Sequence, residues 1–397
     1  MLDLAKLTGQ IPGISQHLTK EALASRKRLE LAENLLGESQ ARQIELVDSH
    51  QKWRDRLIFA AACPVEPLDT KIYLKAPPYT HSVFATDGSQ ISPSHHEIAY
   101  CYLINIGRVM LHYGQSLHPL LDSIPEVFYR PEDLYVSKQW GIRTDEWMGY
   151  RRTVSEAQML AEMASNWVNP PGAHYEPNLA LVDGSLILWF IENLPLEARE
   201  TILLPILAAW EELRQSKIPL MGYLSASRSI EAVNFLRLQA CTHETPNCVV
   251  NCSNLSDRYP CQVIDPLRDA TLWANILEPG QRGPLWKSSA KILELYDESL
   301  QVYFCYVHVG TEIARIEVPA WVAEDTELFE QSLGIMLGQV YKGYGYPVAL
   351  AESHNQAVVR GGDRARFFAL LEQQMIRAGL KNVGTSYKET RKRGSVA

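Results

Sequence analysis

Two apolar runs close on the same tripeptide, FATDGS at 84–89 and LVDGSL at 181–186. Each sets an aspartate, Asp87 or Asp183, at the end of what reads as a buried strand. A rigid scaffold would fix the carboxylate there, and the following glycine would let the backbone turn away. Two carboxylates held in this way can converge on divalent cations, because hard ions such as magnesium or manganese take oxygen ligands. A pair of such ions can activate water and stabilise the leaving oxygen of a phosphodiester. Asp-Gly is common in plain turns, so the signal lies in its repetition at two strand ends.

Near the C-terminus, GYPVALAESHNQAVV at 345–359 contains Tyr346 before a proline and His354 on a segment of helical spacing. A neutral imidazole can ligate a metal or relay a proton, although His354 taken alone reads more often as a packed or capping histidine. Arg228, in the polar turn Ser227-Arg228-Ser229, could meet a nucleic-acid backbone. Arg315 and Glu317, on one face of IARIEVP, read as a structural ion pair, and His95 and His96 as loop residues. Cys241, Cys248, Cys252 and Cys261 form a cluster in CTHETPNCVVNCSNLSDRYPC, with His243 among them. Four soft ligands could hold structural zinc or an iron–sulfur cluster. The tight two-residue gap of zinc ribbons is missing, so free thiols are the favoured reading of the sequence.

These residues need elements to hold them. Residues 19 to about 60 are rich in helix formers and predict one long helix, or two meeting near Gly37, with Thr19 as a cap and Leu29, Ala32, Leu35 and Leu36 as an apolar face. HSVFATDGSQI reads as a strand ending in a tight turn at 87–89, and EIAYCYLINIGRVMLHYG as a hairpin turning near Gly107. Residues 149–168 and 196–215 have helical periodicity, and IPLMGYLSA is a further strand. VYFCYVHVG and IARIEVPAWV form a hairpin, followed by helices around 325–341 and 363–378. The order predicts an α/β fold, a mixed sheet flanked by helices with an N-terminal helical extension. We divide the chain into a helical region 1–75, a main domain 76–380 and a basic tail 381–397, where Lys388, Arg391, Lys392 and Arg393 could touch phosphates.

The chain has 397 residues, 46% hydrophobic and 21% charged, which is the composition of a folded protein. A net charge of −8 argues against coating nucleic acid along a whole surface, yet it suits a carboxylate-lined metal site. No apolar run is long enough to span a bilayer, no leader pattern opens the chain, and the seven cysteines are an odd number. The expectation is a cytoplasmic protein without a disulfide framework and without membrane partners.

An early strand with DGS, a helix with RRTVSEAQ, a second strand with VDGSL, an IEVP segment and a terminal Tyr-Pro…His element occur in this order between about 80 and 360. The arrangement resembles the NurA family, manganese-dependent nucleases with an RNase-H-like fold that process DNA ends with the HerA ATPase. The resemblance implies that Asp87 and Asp183 are metal-binding aspartates. Glu156 matches the acidic residue on the intervening helix, with Glu162 as the substitute. Tyr346 and His354 match the C-terminal pair, His354 as metal ligand or proton carrier and Tyr346 orienting phosphate or water. Ser353-His354 stands where the family often has Ala-His. It implies a Mn2+- or Mg2+-dependent deoxyribonuclease, a homodimer on DNA, and a HerA-like hexameric ATPase as partner.

Two other readings compete. A nucleotide phosphotransferase would use the Asp-Gly-Ser turns to face ATP phosphates, but no GxxxxGK[ST] loop is present. A non-catalytic DNA-end adaptor would keep the fold without turnover.

Overall fold

The computed structural model describes residues 4–8, 11–93, 99–252 and 259–379. His95, His96 and the basic tail, with Lys388, Arg391, Lys392 and Arg393, lie outside the described residues.

In chain order the elements used below are helices α1 (Ile11–Ala41) and α2 (Gln43–Trp53), strands β1 (His81–Ile91), β2 (Tyr102–Tyr113) and β3 (Leu120–Phe128), and helix α3 (Thr144–Val168). There follow β4 (Asn178–Asp183), α4 (Leu196–Gln215), β5 (Leu220–Leu224), α5 (Glu231–Gln239) and α6 (Asp269–Ile276). The chain continues with β6 (Val302–His308), β7 (Ile313–Pro319), α7 (Thr326–Lys342), α8 (Val348–Ala357) and α9 (Gly361–Arg377). They fall into two compact units, one of residues 1–74 with 223–320 and one of 75–222 with 321–397.

The first unit is built on α1, α2, α5, α6 and the β6–β7 hairpin, whose antiparallel register runs from Val302↔Pro319 to His308↔Ile313. The predicted α1 face packs as expected: Ala32 and Leu35 are buried, with Leu29 and Leu36 against the same core. Burying a leucine such as Leu35 stabilises by about 1.5–3 kcal/mol. Two details differ from the sequence expectation. Thr19 lies inside α1, where its hydroxyl donates to the Ser15 carbonyl 3.0 Å away, so it caps nothing. The break falls at Arg42 and not at Gly37. Leaving the helix there lets the Gln43 side chain donate to the Glu66 carbonyl (2.9 Å) and accept from the Leu68 amide (3.0 Å), so backbone satisfaction outside the helix sets the break.

The second unit holds a mixed sheet in the order β5-β4-β1-β2-β3, with β5 running across the division into the first unit. β1 pairs antiparallel with β2 and parallel with β4, and β2 pairs antiparallel with β3. Helix α3 packs on β1, β2 and α4, while α8 packs on β1, β2 and β3. α3 buries Trp147, Met148, Val154, Ala157, Leu160, Ala161 and Ala164 at helical spacing and carries Asp145 and Glu146 in its first turn, where the helix dipole favours them. It stops at Asn169, extended as the residue before Pro170 must be.

Two expected turns are absent. β1 continues through Asp87-Gly88-Ser89 to Ile91, paired along its length with β2. β2 is one unbroken strand through Gly107, and its hairpin partner is β3. Both glycines serve close approach instead of turning. A Cβ on Gly107 would sit 2.3 Å from the Ser353 carbonyl oxygen and 2.5 Å from the Ala357 amide nitrogen, so α8 lies directly on the strand there. A Cβ on Gly88 would sit 2.5 Å from Glu156 Oε1 on α3.

Candidate active site

Strand register places the two aspartates. The last parallel pair between β1 and β4 is Ala85↔Leu181, and Asp87 and Asp183 each lie two residues further on. Equal steps along paired parallel strands bring side chains to the same face of the sheet. β4 then ends at Asp183 and turns at Gly184 with φ +126°, whereas β1 runs on. The second Asp-Gly-Ser is therefore the turn that the sequence predicted, and the first is not.

Opposite Gly107 in the ladder stands Asp87 itself. The glycine that seats α8 thereby sets His354 of that helix over the aspartate: His354 Nδ1 is 2.7 Å from Asp87 Oδ2. The other carboxylate oxygen, Oδ1, accepts from the Gly88 amide at 2.8 Å. α8 is further tied to β1 through Ser89, whose hydroxyl donates to the Ala357 carbonyl and accepts from the Val359 amide.

Glu156 comes from α3, held down by the Thr86 hydroxyl donating to its carbonyl at 2.9 Å. Its side chain keeps 23% of its surface accessible, but burial dominates its titration and pushes its carboxyl up to about 7. Arg152, one turn earlier with Nε 3.2 Å from Glu156 Oε1, opposes that rise, and the Asp87 and Asp183 carboxylates reinforce it. Asp183 faces solvent, yet desolvation by the protein around it raises its carboxyl. The Tyr346 hydroxyl, hydrogen-bonded to Asp183, and the His354 ring both lower it, and Asp87 raises it. All five predicted site residues thus meet in one unit.

Glu162, the substitute for Glu156, lines a separate groove with Glu126 and Glu212 and is not part of this cluster. Arg228 is exposed and belongs to the other unit. Arg152 was missed from sequence. The signal was present, an arginine four residues before the glutamate on one helix, which puts both on one face.

Among the described residues, no group of three or more His, Cys, Asp or Glu side chains is gathered so as to hold a metal ion as it stands. The donor set nevertheless fits one. Asp87 raises the proton affinity of both Glu156 and Asp183, and with one imidazole beside it the three carboxylates make an oxygen-rich environment in which a divalent cation would relieve the repulsion.

Fold and site together define an α/β protein with an acidic cluster, two carboxylates from in-register strands and one from a packed helix, faced by a histidine and a tyrosine. The family model of the NurA domain matches residues 81–359, most of the chain, and the chain belongs to that family. The crystal structure of the NurA nuclease from Sulfolobus solfataricus has a similar fold, with a TM-score of 0.52 at 13% sequence identity, covering 95% of this chain and 98% of that one. No curated protein matches the chain significantly.

Proposed function

We propose that this chain is a metal-dependent nuclease that hydrolyses DNA phosphodiester bonds at the Asp87–Asp183–Glu156–His354 cluster. The observation that carries the reading is the parallel register that sets Asp87 and Asp183 side by side beneath His354. When bound, a manganese or magnesium ion would lower the pKa of a coordinated water and neutralise charge on the phosphate. Asp87, Asp183 and Glu156 would hold it, with His354 as a further ligand or as the proton carrier.

With the proton on Nδ1 donated to Asp87, the His354 ring presents its Nε2 lone pair, able to take a proton from an attacking water or pass one to the leaving oxygen. Tyr346 fixes Asp183 through its hydroxyl and orients the phosphate or the water. Arg152 brings positive charge beside Glu156, where a phosphate oxygen would otherwise meet only carboxylates. Arg228 is kept as a backbone contact to DNA.

Family membership supports the wider reading: exonucleolytic processing of DNA ends in double-strand-break repair, manganese as the ion, a homodimer, a HerA-like hexameric ATPase as partner, and a cytoplasmic location. No helix among the described residues is long and apolar enough to cross a membrane.

The test is incubation of purified protein with end-labelled single- and double-stranded DNA in manganese, magnesium or EDTA, beside Asp87→Ala. Degradation that needs the ion and disappears in the variant supports the proposal. Tight ATP binding without cleavage would favour the phosphotransferase, and DNA binding without cleavage the adaptor.

A further inference from the structure

The four clustered cysteines lie in the first unit, in the stretch that joins α5 to α6. All four thiols, Cys241, Cys248, Cys252 and Cys261, line one small cavity together with His243 and Arg237. Cys248, Cys252 and Cys261 are buried, Cys241 is partly so, and none is in a disulfide. Cys248 and Cys252 are a turn apart: the Cys252 amide donates to the Cys248 carbonyl at 3.0 Å, in a short helix, Cys248–Asn251, whose Asn247 side chain accepts from the Val250 amide. Arg237 Nη2 lies 3.5 Å from Cys261 Sγ, a fixed positive charge against the sulfur group.

Two properties separate this cluster from ordinary buried thiols. The connection between α5 and α6 contains only that one short helix among its described residues. So little regular structure in the described stretches of a connection this long is unusual in a compact unit unless something ties it down. Its four cysteines, spread between 241 and 261, turn toward the same cavity.

We propose that Cys241, Cys248, Cys252 and Cys261 form a structural site for a single zinc ion, independent of the acidic cluster in the other unit. Zinc takes four thiolates in a closed tetrahedron, and such a site staples loops that lack a core of their own. Binding replaces up to four S–H bonds by four Zn–S bonds and releases up to four protons. The resulting negative charge is partly offset by Arg237. The cavity they line with Phe59 and Pro246 has a volume of about 10 Å³, near that of one water-sized sphere, which suits one ion better than a multinuclear iron–sulfur cluster. As they stand, no three of these side chains are gathered closely enough to hold a metal ion. Each cysteine turns about a single side-chain bond with three staggered wells, so closing the shell asks for rotamer changes and small loop shifts.

The test uses the full chain, purified after expression in medium containing both zinc and iron and dialysed against EDTA. Elemental analysis should find about one zinc per chain, released when a mercurial reagent titrates the thiols. Asp87→Ala should keep that zinc in full, which separates this site from the proposed nuclease centre. Cys248→Ser with Cys252→Ser should lose it and lower the unfolding temperature, whereas Cys63→Ser should keep it. If the double variant does not fold, the wild-type stoichiometry and zinc-edge absorption showing four sulfur neighbours decide the matter alone. Overturning results would be a metal-free wild-type protein whose thiols react freely, a Cys248–Cys252 disulfide, or iron with acid-labile sulfide in place of zinc.

Discussion

Each unit holds a cluster of charged side chains, and the two are put together in opposite ways. In the first unit Arg315 on β7 is buried with Glu231 Oε2 and Glu317 Oε1 each 2.7 Å from its guanidinium, the Ser229 hydroxyl at 2.7 Å and the Phe304 ring beneath it. Nearby, Asp269 accepts from the Ala232 and Val233 amides and from the Tyr306 hydroxyl. Nearly every charge there has a counter-charge or a donor. In the second unit burial and a neighbouring carboxylate both raise Glu156 and Asp183, and Arg152, Tyr346 and His354 lower them without restoring the ordinary carboxylate range. Buried charge that is matched holds a fold together, while carboxylates left mutually unmatched await a ligand.

If that contrast is right, substitutions in the two clusters should act on different observables. The largest effect is expected on turnover. Asp87→Ala, Asp183→Ala or His354→Ala should lower the rate of DNA cleavage by about a thousandfold, within the range for losing a proton-transfer or charge-stabilising group. Their urea midpoints should match or exceed that of the parent protein. Next comes Arg315→Met, which strands Glu231 and Glu317 in the interior and should destabilise by about 3–5 kcal/mol in urea unfolding. Adding Glu231→Gln and Glu317→Gln should return much of that loss, and no such rescue would mean that the network is not acting through its charges.

Gly88→Ala is intermediate. Its Cβ would meet Glu156 Oε1 at 2.5 Å and Arg152 Cγ at 2.6 Å, so both side chains must move. Overpacking of this kind costs about 1–3 kcal/mol, and the displaced carboxylate should lower activity more than stability. Equal activity in Gly88→Ala would remove Glu156 from the site.

The smallest effects are those of pH. The folded chain holds the Glu156 proton up to about 7, while the unfolded chain releases it near 4.5. Between those values the folded state binds more protons, so this group makes stability fall as pH rises, and Glu156→Gln in EDTA should flatten that slope. His50, His81 and His112 act the other way. Burial lowers each below 6.5, so the unfolded state binds the extra protons and stability falls as pH drops through 6.5. Unfolding curves between pH 5 and 8 would separate the two trends.

Much of the scaffold was legible because its signals are local. The β1 residues, α4 and the β6–β7 hairpin follow from apolar runs and periodicity alone. β3 was not read, since its alternating, half-exposed pattern is interrupted by Pro125 and charged at Asp122 and Glu126, as befits an edge strand. The misplaced turns have a single cause. A glycine that turns the chain and a glycine that admits a helix look alike in sequence, and only the partner, α3 over Gly88 or α8 over Gly107, tells them apart. The site was visible as residue types in an order, but its assembly rests on the Ala85↔Leu181 register, a long-range pairing that local patterns do not encode.

The most direct measurement is manganese binding itself, followed by electron paramagnetic resonance as the ion is titrated into wild-type protein, Asp87→Ala and Asp183→Ala at pH 8. Saturable binding in the wild type that is lost in both variants is the predicted result. Undiminished binding in either variant would contradict the joint role of the two aspartates.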